Sequence, residues 1–351
     1  MKDFFCIDIL ISVPLNQVFT YKSRFKTKIG SIVKIPFGNN NEIVKGIVIS
    51  KPYDGKKNFQ IKEIISVENY ESILSKPQLK LLKWSSNYYL VGLPKIFNSI
   101  FSKNILDIKF DESSNYDLEL VNKDYKTNLI VDHSKNILNN IIEELKSNKK
   151  NRQILILCPN SYKTQSTYNI ISEKFINTFI YDSKTSTKNK LKIWKEILEN
   201  NEIIILGTKS AVFLPFINLN KIYVIYEHSY LYKETDKLLR FNARDSAVVL
   251  SKIHKCDIDL ISDSPSLESM FNTKKNKFRF YDKSKKLSLK TDLNRITIFN
   301  KIEKKLKNKI KGIISTEILD NIKKNYNKKQ KSIIFTPYSK DIEKIHSSLN
   351  E

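Results

Sequence analysis

The sequence predicts an α/β protein in which a small N-terminal domain rich in β-strands precedes a larger lobe built on a parallel β-sheet. Three observations lead to this prediction. A chain of 351 residues has room for about two domains. Strand-like segments fill residues 4–50, whereas short apolar runs alternate with helical segments from residue 127 onward. Such alternation is typical of a parallel sheet covered by helices.

The first domain is predicted to span residues 1–105, with strands first and helix afterwards. Residues 5–13 are apolar with polar interruptions, and residues 31–36 alternate with the period of a half-buried strand. A later strand contains Gly46, which indicates a bulge or a close backbone approach. Residues 77–101 change to the apolar spacing of a helix.

The rest of the chain divides by composition. Residues 106–126 are polar and acidic, which predicts a linker, and residues 127–312 are predicted to form the lobe. Within it, residues 272–312 are Lys-rich with little periodicity and predict an exposed region. Residues 313–351 are predicted to open a further α/β unit, with a strand at residues 332–336. The lobe's predicted strands are 153–158, 179–182, 202–207, 221–226 and 257–262, and its predicted helices are 136–145, 162–175, 188–198 and 243–253.

The composition predicts a cytoplasmic protein with a polyanionic partner. Lys and Arg number 61 against 37 Asp and Glu, a formal charge of +24, which favours nucleic acid as partner. Heavy use of Lys, Asn and Ile is also typical of an AT-rich genome, and both explanations stay open. No apolar run suits a membrane span, and the N-terminus makes a poor signal peptide. The three cysteines lack the spacing of a zinc site or a disulfide framework: Cys6, Cys158 and Cys256.

Several segments, in order along the chain, carry a family resemblance. They resemble the primosomal protein N′ (PriA) family of bacterial replication-restart helicases, in register over nearly the whole chain. The segments are Val13–Tyr21 (VPLNQVFTY), Ile29–Gly38 (IGSIVKIPFG), Trp84–Tyr89 (WSSNYY), Gly207–Phe216 (GTKSAVFLPF), Glu227–His228, Arg240–Ala247 (RFNARDSA) and Ser262–Ser269 (SDSPSLES).

The resemblance implies a domain order. In the family, a 3′-DNA-binding domain that captures the 3′ end of the leading strand precedes a winged helix. Two RecA-like lobes follow, the second with cysteine-bound zinc. Residues 106–126 are too few for a winged helix, so we expect that domain to be deleted. We expect residues 127–312 to be a degenerate first RecA-like lobe and residues 313–351 the start of a truncated second lobe.

The residues of helicase chemistry are largely missing from the matching positions. Residues 129–136, where the phosphate loop would lie, contain no glycine. The family's Asp-Glu-Glu-His motif is replaced here, so the metal-binding Asp and the catalytic Glu are both absent. We therefore expect no catalytic residue and no bound ATP, Mg²⁺ or zinc, although the sequence leaves enzymatic activity open. The degenerate motif consists of Ile225, Tyr226, Glu227 and His228.

DNA binding is the activity that the chain is expected to retain. The resemblance implies a 3′-end pocket built by Phe19, Thr20, Gly38 and Lys62. Thr20 stands where the family has an Asp that contacts the base edge. Taken alone, Phe19 is more typical of a core residue and Lys62 of a solvated lysine, and only the match in register favours their place in the pocket. The resemblance also implies DNA-backbone contacts from Thr208, Lys209 and Ser210, and an aromatic-rich loop with Tyr230, Tyr232 and Phe241, for which ordinary loop packing is the alternative.

Three hypotheses for function follow. The first is a binding protein without ATPase activity that recognises forked DNA or free 3′ ends. Single-strand-binding protein and primosome components are its possible partners, and no membrane is involved. The second is a divergent 3′-5′ DNA helicase fragment completed by a second polypeptide. The third is the product of an eroding gene. The first is favoured because the N-terminal motifs are kept while the ATP-site motifs are degenerate.

Overall fold

The computed structural model describes most of the chain in two compact units, residues 1–285 and 286–351. The described residues are 4–13, 15–54, 61–101, 103–108, 124–132, 134–147, 153–200, 202–284, 310–311, 314–336 and 338–350.

The first unit begins with a five-stranded antiparallel sheet in the order β2-β1-β4-β3-β5. Gly46 confirms the predicted close approach, because a Cβ there would lie 2.3 Å from Cγ2 of Ile9. Backbone hydrogen bonds from Lys22 to Lys62 and from Ile64 to Lys22 place residues 61–65 beside β2. The strands are β1 (Phe5–Ile11), β2 (Phe19–Ser23), β3 (Ile32–Phe37), β4 (Glu42–Val48) and β5 (Ser66–Asn69).

Two helices replace the single helical stretch predicted for residues 77–101. Helix α1 (Lys76–Tyr89) starts at the capping hydroxyl of Ser75, and α2 (Leu93–Ile100) follows. Leu90 ends α1 in a left-handed conformation with φ 54°. A Cβ at Gly92 would lie 2.3 Å from the backbone oxygen of Asn16, so the chain turns where only glycine fits.

A seven-stranded, all-parallel sheet forms the lobe, in the order β12-β6-β11-β10-β7-β9-β8. The carboxyl ends of all seven strands therefore lie at the same end of the sheet, the strand-end edge. This confirms the predicted fold class of a small β-rich domain followed by a parallel α/β lobe. The strands are β6 (Thr127–Val131), β7 (Gln153–Leu157), β8 (Thr178–Tyr181), β9 (Ile203–Gly207), β10 (Leu219–Ile225), β11 (Asp257–Ser262) and β12 (Arg279–Asp282), and the helices are α3 (Ser134–Ser147), α4 (Ser161–Ser172), α5 (Thr187–Glu199), α6 (Ala243–His254) and α7 (Leu267–Lys274).

The β-rich domain and the lobe share one hydrophobic core. The indole of the fully buried Trp194 donates a hydrogen bond to the carbonyl of Ile73 at 2.8 Å, and its ring lies edge-on to Phe101 at 5.0 Å. The side-chain amide of Gln78 donates to the carbonyl of Phe213 at 2.7 Å. The two parts are therefore joined by apolar packing and by buried hydrogen bonds.

In the second unit, the strand predicted at residues 332–336 is wrong. The segment has no regular structure, and Ile333 and Phe335 are 81% and 93% exposed. A strand needs a neighbour for its backbone groups, and no described strand of this unit runs beside it. The described elements of the unit are β13 (Ile310–Lys311), β14 (Ile314–Ser315), α8 (Thr316–Asn327) and α9 (Lys340–Asn350).

Two other predicted regions fall partly outside the described residues. Residues 109–123 of the predicted linker and residues 285–309 of the predicted Lys-rich exposed region are among those not described. The described part of the Lys-rich region contains the end of α7 and the edge strand β12. The sequence did not predict β12, because its four residues are all exposed and lack an apolar pattern. Among the described helices, none combines the length and apolarity needed to cross a membrane.

Candidate nucleic-acid interface

Three of the four predicted 3′-end residues come together near the end of β3. Gly38 follows that strand, Phe19 begins β2, and Lys62 reaches Gly38 from the segment beside β2. The exposed Lys62 Nζ donates to the carbonyl of Gly38 and to Oδ1 of Asn41, both at 2.6 Å. Gly38 has φ +70°, and a Cβ built there meets nothing within 4 Å, so the backbone conformation favours glycine and the space around it is open. The half-buried Phe19 lies edge-on to Phe37, the neighbour of Gly38, at 5.2 Å.

The side chain of Thr20 lies apart from this group, and its predicted place in the 3′-end pocket stays a prediction. Neighbouring residues of a strand point to opposite faces, so Thr20 points away from the face of Phe19. Its hydroxyl donates to Oδ1 of Asp8, the residue opposite it on β1, at 2.8 Å. The phenol of Tyr53 donates to the same oxygen at 2.8 Å. Burial, followed by the nearby Asp8 carboxylate, raises the pKa of Tyr53, so the phenol keeps its proton.

Asp8 is a functional candidate that sequence reasoning missed. Its only signal was an acidic residue inside an apolar strand, and its contact with Thr20 depends on the register of β1 against β2. A carboxylate therefore lies beside position 20, although it comes from the neighbouring strand.

Replacing Thr20 by Asp is expected to lower the free energy of unfolding by about 1 kcal/mol at pH 7, because like charges on facing strand residues repel. Thr20→Asn is the matched control, since its amide can still donate to Asp8. The double variant Thr20→Asp with Asp8→Asn removes one charge and should recover stability. Urea unfolding measures all three, and equal stability of the Asp and Asn variants would contradict the expectation.

At the strand-end edge of the lobe, the side chain of Glu227 lies in a buried hydrogen-bond network. Its side chain is buried, with the residue 1% exposed, and its carboxylate accepts four hydrogen bonds. The donors are the Ser266 backbone at 2.6 Å, the hydroxyls of Ser266 and Ser269 at 2.8 Å, and Nη1 of Arg244 at 3.2 Å. The carboxylate thus ties the end of β10 to α6 and to the first turn of α7.

The other residues of the degenerate motif are also engaged. Ile225 is buried, and Tyr226 has φ +57°, a strained conformation for an aromatic residue. The ammonium of Lys163 lies 5.0 Å from the centre of the Tyr226 ring. Nδ1 of His228 and the hydroxyl of Ser262 are 2.5 Å apart. An apolar, an aromatic and a hydrogen-bonded imidazole side chain therefore occupy this end of β10.

An acidic residue follows β6, where the phosphate loop would lie. Asp132 is 2% exposed; its backbone N–H donates to the carbonyl of Ser262 at 3.0 Å, and its carboxylate accepts a hydrogen bond from Asn140. A buried carboxylate at this place repels an anionic phosphate. The side chains of residues 133–135 lie outside the described set. Within the described ranges, no cluster of three or more His, Cys, Asp or Glu side chains could hold a metal ion.

The predicted DNA-backbone residues follow β9 directly. Thr208 and Ser210 are partly exposed, and a short 3₁₀ helix spans Lys209–Phe213. The ammonium of Lys209 lies 3.2 Å from a carboxylate oxygen of the buried Glu234, with its side chain 29% exposed. The loop therefore presents polar groups at the strand-end edge, and the ion pair with Glu234 orients the Lys209 side chain.

Two of the three predicted aromatic-loop residues are buried, which favours for them the alternative of ordinary loop packing. Tyr232 is 1% exposed, and its single hydroxyl proton is shared between the carbonyls of Leu157 and Ile225, whose oxygens lie 2.9 and 2.7 Å from the phenol oxygen. Phe241 is buried edge-on against Phe213. Tyr230 is 78% exposed and is free of such packing.

Comparison with known proteins shows a similarity to PriA. A model of the PriA 3′DNA-binding domain (3′BD) matches residues 8–102. Replication restart protein PriA of Rickettsia prowazekii is 28% identical over 344 residues, covering 92% of this chain and 51% of the relative. PriA of Borreliella burgdorferi is 26% identical, covering 93% of this chain and 53% of the relative. The chain thus spans about half the length of these curated relatives.

Among solved structures, the likeness is weaker. Domain 2 of the DEAD-box helicase Mss116p, bound to an RNA duplex, has a TM-score of 0.35 and 11% identity, over 58% of this chain and 78% of that one. The sequence relatives cover both the β-rich domain and the parallel lobe. The chain is therefore similar to PriA over most of its length, and residues 8–102 match the model of the PriA 3′DNA-binding domain.

Proposed function

We propose that the chain is a DNA-binding protein of replication restart that recognises forked DNA or free 3′ ends without hydrolysing ATP or unwinding DNA. The N-terminal domain is the observation that carries this proposal. Residues 8–102 match a 3′DNA-binding domain, and Gly38, Lys62 and Phe19 lie together at one edge of its sheet. The proposal includes the cytoplasm as compartment and single-strand-binding protein and primosome components as partners, which the family resemblance implies.

The chemistry of this edge suits the end of a DNA strand. The Lys62 ammonium can exchange its contact with the Gly38 carbonyl for a phosphate oxygen, which forms a stronger, charge-assisted bond. The open space at Gly38 lets a nucleotide approach the backbone, and the Phe19 ring borders that space. Net charge alone would draw DNA to the protein without distinguishing strand ends.

The strand-end edge of the lobe supports the absence of ATP hydrolysis. To bind a nucleoside triphosphate with Mg²⁺, a site needs backbone or lysine donors for the phosphates and a carboxylate for the metal. This edge offers the buried carboxylate of Asp132 where phosphates would lie, and Ile225 and Tyr226 where the carboxylates would lie. Glu227 is occupied by four donors. These residues therefore do not fit a nucleotide with its metal ion.

Binding of the full chain to a DNA fork with a free leading-strand 3′-hydroxyl is expected to exceed binding to the same fork whose 3′ end carries a bulky uncharged blocking group, because only the free end can enter the open space at Gly38 and bring its phosphate to Lys62. We expect about a tenfold preference, equivalent to ~1.4 kcal/mol, which Lys62→Ala should abolish. Lys192→Ala, which removes one exposed charge from α5, is the matched control and should keep the preference. Fluorescence anisotropy at two salt concentrations measures each affinity.

Two results would count against the proposal. Equal binding to both forks, falling steeply with salt in all three proteins, would mean that only the net charge of +24 acts. Release of phosphate from ATP above background in the presence of the fork would mean that the lobe keeps a motor activity.

A further inference from the structure

Helix α1 of the N-terminal domain carries a buried amide that contacts the lobe. Gln78 is 1% exposed, and its Nε2 donates to the carbonyl of Phe213 at 2.7 Å. Its Oε1 is buried and has no hydrogen-bond partner in the described part of the chain. A buried polar atom without a partner costs about 1–3 kcal/mol, so an apolar side chain would suit stability better at this place. The amide therefore calls for an explanation other than stability.

The acceptor of Gln78 belongs to the predicted DNA-backbone loop. Phe213 is the last residue of the 3₁₀ helix that begins at Lys209, and that helix follows Thr208 directly. Within this segment the N–H of Ala211 donates to the carbonyl of Thr208 at 2.9 Å. The hydrogen bond at Phe213 therefore adds a directional contact to the apolar burial of Ala211–Phe213 that holds this segment.

The far end of α1 reaches the same lysine by another route. The hydroxyl of Tyr89 accepts a hydrogen bond from the backbone N–H of Asn242 at 3.2 Å. The preceding residue, Phe241, accepts a hydrogen bond at its carbonyl from the N–H of Glu234 at 2.7 Å. The Glu234 carboxylate in turn holds the Lys209 ammonium at 3.2 Å. One helix thus supports Lys209 through two separate chains of contacts.

We propose that Gln78 is a positioning residue that fixes the Lys209 loop relative to the 3′DNA-binding domain, so that both contact one bound DNA strand. The inference rests on the proposed DNA-binding function. Two contact points on a rigid body bind a strand with less loss of conformational freedom than two that move independently. Loss of the Gln78 hydrogen bond releases the loop, whereas the 3′-end contacts at Gly38 and Lys62 stay as they are.

Gln78→Met is the direct test, because methionine has a similar length and no donor. We expect its affinity for the free-end fork to fall about fivefold, or ~1 kcal/mol. The slope of log affinity against log salt should become shallower by about one phosphate contact. The ratio between free-end and blocked-end forks should not change. Lys209→Ala should show the same loss, and the double variant should lose no more than either single variant.

Two further variants separate positioning from folding. Ser85→Ala removes a different buried hydroxyl of α1 that has no partner among the described residues, and it should leave the salt slope unchanged. Gln78→Asn keeps an amide too short to reach Phe213 and should repeat the Gln78→Met result if that variant does not fold.

Additive losses in the double variant, or an unchanged salt slope in Gln78→Met, would overturn the inference. Wild-type protein with equal affinity for free and blocked ends would overturn 3′-end recognition alone, since the slope and the additivity are still measurable on either fork. Wild-type protein with no salt-dependent DNA binding would overturn both.

Discussion

Replacing Glu227 by Ala is expected to lower the free energy of unfolding by about 3–5 kcal/mol at pH 7, because it breaks a buried ion pair by removing one partner. The Arg244 side chain is 9% exposed and would lose its buried carboxylate, keeping the half-exposed Asp245 at 2.9 Å. The hydroxyl of Ser269 and the backbone N–H of Ser266 would lose their acceptor as well. These losses fall together at the joint of β10, α6 and α7.

Urea unfolding of the full chain, followed by tryptophan fluorescence, measures this loss, because Trp194 lies fully buried in the shared core. Glu268→Ala is the matched control. Its side chain is 60% exposed and lies 4.0 Å from the same Arg244, so we expect a change of less than about 1 kcal/mol. Glu227→Gln keeps the shape and part of the hydrogen bonding, and it should fall between the two. A Glu227→Ala loss no larger than that of Glu268→Ala would contradict the buried network.

The strands of the lobe can be predicted from sequence where a run of apolar residues reflects a buried strand. The apolar runs of β7, β9 and β10 are fully or nearly fully covered, so composition alone marked them as strands. The edge strand β12 has four exposed residues and no such pattern, and it was missed. Tyr232 and Phe241 show the same limit in the site, because a side chain's exposure is decided by neighbours distant in sequence.

Contacts within the candidate site were harder to predict than its residues. The partner of Thr20 is set by the register of β1 against β2, and the partner of Gln78 lies 135 residues away. Family resemblance transferred Phe19, Gly38 and Lys62 to positions that do lie at one edge, because those residues follow the local course of the strands. It gave no indication of Asp8 or Gln78, whose places depend on how elements pack.

Acidification is expected to destabilise the protein through His254. The residue is 5% exposed, and neither ring nitrogen has a hydrogen-bond partner in the described part of the structure. Burial, and to a lesser extent the charge of Lys80, lowers the pKa of His254 from 6.5 to about 3. The unfolded chain binds a proton at this site below pH 6.5, whereas the native state resists it, so stability is lost as the pH falls from 6.5 towards 3.

The loss amounts to about 1.4 kcal/mol per pH unit, or ~3 kcal/mol between pH 6.5 and 4.5. His254→Leu fills a similar volume and cannot be protonated. Carboxylates titrate alike in both proteins, so the difference between their unfolding free energies at pH 7.5 and pH 4.5 isolates the histidine. Parallel pH profiles would show that the imidazole is protonated as readily in the native state as in the unfolded chain.

His254 also lies where α6 contacts α1, so its protonation is linked to the docking of α1 on the lobe. The residue ends α6, which packs against α1, the helix that carries Gln78 and Tyr89. Because the buried ring resists protonation, acid favours a state in which α1 has moved away and the exposed ring binds a proton, so α1 should loosen from the lobe before the sheet unfolds. In that case the salt slope of DNA binding by wild-type protein should become shallower near pH 5, while His254→Leu keeps its slope. An unchanged slope in both proteins would mean that α1 stays docked until the whole unit unfolds.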